Sequence, residues 1–194
     1  MEGTQRCPTV TANSVLAIAS ARAGLSISGE DVGIPDPSGL VHLQFRRFAG
    51  CPVCNLHLHS MMRRQDEIAA AGIREIVFFH SSAEDLREHA ATFPFAVVAD
   101  PDKKVYAAFG VESGARALLD PRGWGAIASG LARSIPAVVA GREAAPSLNP
   151  HGGRYGLPAD LAIAPDGRVI ASKYGEYVDD KWSVDELLAL ARAA

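Results

Sequence analysis

The stretch that decides the fold runs from residue 40 to residue 54: Leu40-Val41-His42-Leu43-Gln44-Phe45, then Arg46-Arg47-Phe48-Ala49-Gly50, then Cys51-Pro52-Val53-Cys54. The first six residues alternate apolar and polar side chains, the period-two signature of a β-strand. From Val53 to Ala71 the chain carries neither Gly nor Pro, and Gly72 follows, which predicts one long helix. Cys51 therefore stands at a helix start, where unsatisfied backbone N–H groups and the positive end of the dipole favour a thiolate. Pro52 suits the first helical position, since its missing N–H costs nothing there.

Outward from this stretch, Ile73 to Phe79 is a nearly continuous apolar run with β-branched residues, as expected of a parallel strand covered on both faces. Ser81 with Glu84 forms a capping box for a helix to about Ala91, Phe95 to Ala99 reads as a third strand, and Lys103 to Phe109 is a short helix closed by Gly110. Ala159 to Ala164 and Val169 to Lys173 form a hairpin about Pro165-Asp166-Gly167-Arg168, and Ser183 with Glu186 caps a last helix through Leu190. The order βαβαβα, then a hairpin and a helix, predicts an α/β protein with a mixed sheet between helices.

Two segments stand outside that pattern. Residues 1–39 form an N-terminal extension, with an Ala-rich helical segment over 8–30 and the punctuated Gly33-Ile34-Pro35-Asp36-Pro37-Ser38-Gly39. Residues 113–153 form a helical and loop insertion that includes Trp124, Ile127 and Leu131 and ends in Pro146-Ser147-Leu148-Asn149-Pro150-His151-Gly152-Gly153. Both are assigned to one domain spanning residues 1–194.

Composition removes several functions. The 194 residues are 48% apolar, and 19 basic against 22 acidic side chains give a net charge of -3 with no long run of either sign. Neither nucleic acid nor an anionic membrane is an expected partner. No apolar run approaches the roughly 18 residues of a membrane span, and the first residues carry no secretory pattern, so a cytoplasmic location is expected. Three cysteines are too few and too odd in number for a secreted disulfide scaffold.

In such a setting a CxxC after a strand is a redox signal, and this reading outweighs a pair of inert buried thiols. Cys51 is expected to attack and Cys54, one turn on, to resolve by closing the Cys51–Cys54 disulfide. Arg46 and Arg47, on the approach to the helix, are candidates for lowering the thiol pKa or binding an anionic substrate. Cys51, Cys54, His57 and His59 also spell a zinc-like spacing, but on a helix His59 points about 200° away from His57, and no metal is expected. His57 is at most a tuning residue. Pro158 in Leu157-Pro158-Ala159-Asp160 could hold a substrate chain beside the disulfide if its peptide bond were cis; the alternative is an ordinary proline at the start of a strand. Cys7 reads as an incidental thiol.

Three blocks together carry a resemblance: Phe45 to Cys54; Val98-Ala99-Asp100-Pro101-Asp102-Lys103 with Phe109-Gly110-Val111; and Gly156 to Gly167. In these the chain resembles the thioredoxin-fold alkyl hydroperoxide reductase/thiol-specific antioxidant superfamily, in its peroxiredoxin-like branch with a CxxC. The resemblance implies a thioredoxin-like three-layer sandwich, with a central mixed β-sheet flanked by helices, and a reactive Cys51. Two departures stand out. The family's P-x-x-x-T-x-x-C has Gln44 and Phe48 at its Pro and Thr positions, and the family's late-strand Arg falls near Pro158, with only Arg154 close enough to substitute.

The expected activity is that of a peroxiredoxin-like thiol oxidoreductase acting on a peroxide or on a protein or small-molecule disulfide. An external thiol would reduce it, with no metal or organic cofactor. The oligomeric state stays open, a homodimer among the options. The competing reading is a non-catalytic redox sensor or partner-binding module that docks through the 113–153 insertion and Trp124.

Overall fold

The computed structural model describes residues 24–114, 116–147, 150 and 152–193. Cys7 and the first part of the expected 8–30 helix lie outside these. Five strands, β1 (Leu40–Arg46), β2 (Ile73–Phe79), β3 (Ala96–Ala99), β4 (Ala159–Ile163) and β5 (Val169–Tyr174), form one sheet in the order β3-β2-β1-β4-β5. β1, β2 and β3 are mutually parallel, whereas β4 and β5 join as an antiparallel hairpin against β1. The helices are α1 (Pro52–Arg63), α2 (Gln65–Ala70), α3 (Ala83–Ala90), α4 (Lys104–Ala108), α5 (Arg116–Leu119), α6 (Trp124–Val139) and α7 (Val184–Ala193).

One sheet face packs Val41, Leu43, Phe45, Ile76, Phe78 and Leu161 against Tyr106 of α4 and Phe109. On the other face Val77 and Phe79 meet Leu58 of α1 and Leu86 of α3. Further along it, Leu40 and Ile73 meet Met61, Ile68 and, from α7, Leu187 and Leu188. Helix, sheet and helix thus make three layers.

Several expected boundaries move for local reasons. The long helix breaks at Arg64, whose φ of -117° leaves the helical region, so α1 and α2 are separate. α3 is capped by Ser82, which accepts from the Asp85 N–H, rather than by Ser81 with Glu84. Ser81 is unavailable because it is buried and its hydroxyl accepts the Ala49 N–H. Residues 24–31 are not helical: they turn back through Gly24 and Gly29, both at positive φ, and form isolated bridges Leu25–Asp31 and Ser26–Val98. The Asp100 carboxylate accepts from the N–H groups of Lys104, Val105 and Tyr106 and so starts α4.

The alternation in β1 has a different meaning from a strand with one wet face. His42, Gln44 and Arg46 are as buried as Val41, Leu43 and Phe45, because β1 is central and α1 covers its polar side. Their polar groups pair with one another and with two buried carboxylates. His42 Nδ1 lies 3.1 Å from Glu75 Oε1 and its Nε2 3.0 Å from Asp160 Oδ1. Arg46 Nη2 lies 2.6 Å from Asp160 Oδ1 and 2.6 Å from Gln44 Oε1, and Gln44 Nε2 donates to Glu75 Oε1 at 3.0 Å. Two cationic and two anionic groups give a neutral cluster with His42 protonated, which limits the cost of burying them.

Burial disfavours His42 protonation, yet Asp160 and Glu75 outweigh it and raise the pKa above its ordinary value. Burial likewise opposes ionisation of Asp160, but Arg46 and His42 hold that carboxyl far below the carboxylate range. The His42 contribution to stability is therefore full below about pH 6.5 and drains away as pH rises through the elevated value; that of Asp160 is present above about pH 4 and is lost on acidification. Asp160→Asn is expected to cost about 3–5 kcal/mol in urea unfolding at neutral pH, since it strands Arg46 in the interior. His42→Gln should flatten the decline of wild-type stability above neutral pH; an equally steep decline in the variant would contradict this assignment.

Candidate active site

The loop from β1 to α1 is fixed before any chemistry is considered. Cys51 N–H closes a turn on the Phe48 carbonyl at 3.2 Å, Ala49 N–H is held by Ser81, and His80 N–H donates to the Arg47 carbonyl at 3.1 Å. Gly50 turns the chain at a φ of 73°, and a Cβ there would lie 2.7 Å from the His89 ring of α3. The Tyr106 hydroxyl donates to the Arg46 carbonyl and lies 2.8 Å from that of Phe78, tying together the ends of β1 and β2.

Cys51 is the N-cap of α1, with Pro52 at the first helical position as the sequence predicts. Its Sγ accepts the Cys54 N–H at 3.4 Å and an N–H of Arg47 from Nη2 at 2.9 Å. The other guanidinium arm of Arg47 donates from Nη1 to the Arg154 carbonyl at 3.3 Å. Both cysteines are free thiols.

Their ionisation differs from the expectation of a lone Cys51 thiolate. Burial opposes both anions, but at Cys54 the hydrogen bond from Cys51 and the positive charges of Arg47 and Lys181 prevail and hold the thiol well below its ordinary value. At Cys51 burial, the hydrogen bond with Cys54 and the negative charge there push the thiol well above it. The donors nevertheless converge on Cys51 Sγ. The first proton is thus lost early from the pair, and the one that remains lies between the two sulfurs. Transfer of that proton to Cys54 would place the anion on Cys51 Sγ, beside the Arg47 guanidinium.

Of the other residues singled out, Arg46 does not reach the thiols. As the last residue of β1 it points into the buried cluster, where Asp160, Gln44 and the carbonyls of Phe45 and Ala159 take its donors. Successive side chains of a strand point to opposite faces, so adjacent arginines separate. The Arg154 side chain donates to the Ser147 carbonyl, and its connection to the site is through its backbone. Pro158 is buried, its carbonyl accepts from Gly175 N–H at 2.8 Å, and Leu157–Pro158 is trans; Ile34–Pro35 is the cis bond among the described residues.

His57 Nε2 lies 3.1 Å from Arg46 Nη2, and burial with the charges of Lys181 and Arg46 keeps the ring neutral. His59 stacks edge-on with Phe93, away from that contact. Among the described residues no cluster of three or more His, Cys, Asp or Glu could hold a metal.

Sequence reasoning missed Lys181, whose buried ammonium donates to the Val53 carbonyl at 3.4 Å and pairs with Asp179 at 2.8 Å. Nothing local marks a lysine 127 residues from Cys54 as part of this site.

Both cysteines are covered, at 0% and 2% exposure. α6, from the 113–153 segment, packs along α1, and a Cβ on Gly130 would lie 3.0 Å from the Pro52 carbonyl group. Its outer face leaves Trp124, Leu131, Ile135 and Val139 exposed.

Comparison with known proteins accords with this architecture. The sheet is that of the thioredoxin-like fold. Residues 60–176 match the family model described as AhpC/TSA antioxidant enzyme, and the chain belongs to that family. The matched stretch begins beyond Cys54. Peroxidoxin BcpB of Mycobacterium tuberculosis superposes with a TM-score of 0.59 at 18% identity, over 87% of this chain and 90% of that one. Peroxiredoxin Q of Xanthomonas campestris gives 0.58 at 14% identity, over 87% and 88%. Peroxiredoxin 6 of Arenicola marina gives 0.60 at 13% identity, over 86% of this chain and 66% of that one. These likenesses establish the fold. No curated protein matches the sequence. Among the described residues no helix is long and apolar enough to cross a membrane.

Two outcomes follow. Arg47→Met should move the midpoint of iodoacetamide labelling of the pair upward, toward the free-thiol value of about 8.5. Gly130→Val should force α6 off the start of α1 and raise the labelling rate at fixed pH at least severalfold; an unchanged rate would mean that α6 does not control access.

Proposed function

We propose that the protein reduces small hydroperoxides through the Cys51–Cys54 dithiol. The observation that supports this most directly is the guanidinium of Arg47 on Cys51 Sγ, with a second thiol one helical turn away. The Cys51 thiolate attacks the distal peroxide oxygen and the O–O bond breaks, giving Cys51 sulfenic acid and an alkoxide that takes a proton to leave as alcohol. Cys54, as thiolate, then attacks the Cys51 sulfur; the S–S bond forms and hydroxide departs as water after protonation. Two equivalents of an external thiol restore the dithiol.

Arg47 supplies the cation that the family's late-strand arginine provides elsewhere: it holds the thiolate and is within reach of the developing negative charge on oxygen. Burial of both sulfurs favours a small substrate over a protein disulfide, because a peroxide needs a narrow opening beside α6 whereas a polypeptide needs α6 displaced. A dithiol that works in its reduced form suits the cytoplasm.

The exposed apolar face of α6 favours a second reading, a redox sensor that shows oxidation of the pair to a partner. Turnover separates the two. With dithiothreitol as reductant, hydrogen peroxide and cumene hydroperoxide should be consumed catalytically while insulin disulfides are left nearly untouched. Cys51→Ser should abolish consumption, and Cys54→Ser should permit one turnover per chain. Stoichiometric oxidation without turnover in the wild type would favour the sensor.

A further inference from the structure

We infer that the oxidised protein is a strong oxidant of small thiols, because joining Cys51 to Cys54 takes away the counter-charge of a buried guanidinium, that of Arg47. The inference rests on the disulfide proposed above and not on peroxide as the reagent that forms it.

Three cationic side chains are buried around α1, and two of them carry their own carboxylates. Arg46 pairs with Asp160 at 2.6 Å and Lys181 with Asp179 at 2.8 Å. Arg47, 4% exposed, has none. Among the described residues its acceptors are Cys51 Sγ, 2.9 Å from Nη2, and the Arg154 carbonyl, 3.3 Å from Nη1, while its buried Nε has no partner. Its central carbon lies 5.5 Å from the centre of the Phe48 ring, which brings no formal charge. Burial opposes the Arg47 cation, and the negative charge on Cys51 and Cys54 outweighs that cost. The residue is also held in place: its carbonyl accepts the His80 N–H at 3.1 Å, and a Cβ on Gly156 would stand 3.3 Å from Arg47 Cγ.

With one proton shared between two sulfurs the reduced pair carries one negative charge, and together with Arg47 it is neutral. The disulfide carries none. Oxidation therefore leaves a positive charge uncompensated in the interior, the costly outcome when one member of a buried ion pair is removed. Whatever stabilises the reduced dithiol against the disulfide makes the couple more oxidising. Burial of both sulfurs restricts the acceptors to small thiols, and the step balances with two of them. The thiolate of the first attacks a protein sulfur and the Cys51–Cys54 bond breaks; that of the second attacks the mixed disulfide, and the protein sulfur leaves as thiolate. The acceptors end as a disulfide and the protein gains two electrons. Of the two thiol protons, one stays between Cys51 and Cys54 and the other goes to solvent.

The probe is glutathione. Protein oxidised with diamide and protein reduced with dithiothreitol are each brought to equilibrium at neutral pH in equimolar, millimolar reduced and oxidised glutathione, then unfolded and alkylated, and the mass of the peptide carrying Cys51 and Cys54 is read. Both samples should end mainly reduced. In Arg47→Met the equilibrium constant for oxidation by glutathione disulfide should be larger by about tenfold or more, since no guanidinium is stranded. The same cost appears in the fold: oxidised wild type should unfold at a lower urea concentration than reduced, against the gain a closed ring gives by itself, and the order should reverse in Arg47→Met. A wild type that rests mainly oxidised, or equal constants in a folded Arg47→Met, would overturn the inference. Should the variant not fold, the wild-type urea comparison decides alone, and an oxidised form as stable as the reduced one has the same force. Peroxide turnover that persists beside such results leaves the peroxide reading standing, whereas its loss with the shifted equilibrium retained strikes that reading and supports this one.

Discussion

Cys51 caps its helix with sulfur. Where a hydroxyl or carboxylate would ordinarily receive the first free N–H of α1, Cys51 Sγ receives the Cys54 N–H and, from the side, the guanidinium of Arg47. Those donors make a buried anion tolerable where both sulfurs are covered by the protein. The turn at Gly50, the Ser81 contact to Ala49 and the Tyr106 contact to the strand ends all hold the sulfur against Arg47.

Beneath α1 a second set of charges serves the fold. Arg46, Asp160, His42 and Glu75 are ionic groups within the sheet layer, and their mutual neutrality makes the arrangement stable. The two sets meet at α1: His57 contacts Arg46, and Lys181 reaches the Val53 carbonyl while lowering the Cys54 thiol. Arg46 and Arg47 differ in role because one step along a strand reverses the side-chain direction. One pairs with Asp160 in the core and the other donates to Cys51 Sγ.

Much of the fold was legible because hydrophobic period and turn chemistry are local. β2, the hairpin, the last helix and Cys51 with Pro52 at a helix start all follow from neighbouring residues. The departures arise where a distant partner claimed a local group. Ser81 could not cap α3 because the loop before Cys51 uses its hydroxyl. The alternation in β1 marks a strand but not where its polar half points, because the partners of that half, Glu75 and Asp160, lie on other strands. The same limit hid Lys181 and the packing of α6 over the dithiol, since nothing in Trp124 to Val139 names the surface it covers.

The central claim is that two buried thiols act as one reagent toward a peroxide. Its most direct test is the mass of the intact protein after one equivalent of hydrogen peroxide, followed by peptide mapping without reduction. Loss of two hydrogens, with Cys51 and Cys54 joined in a single peptide, is the predicted result. An unchanged mass, or oxygen added at methionine while both thiols still react with iodoacetamide, would contradict the account.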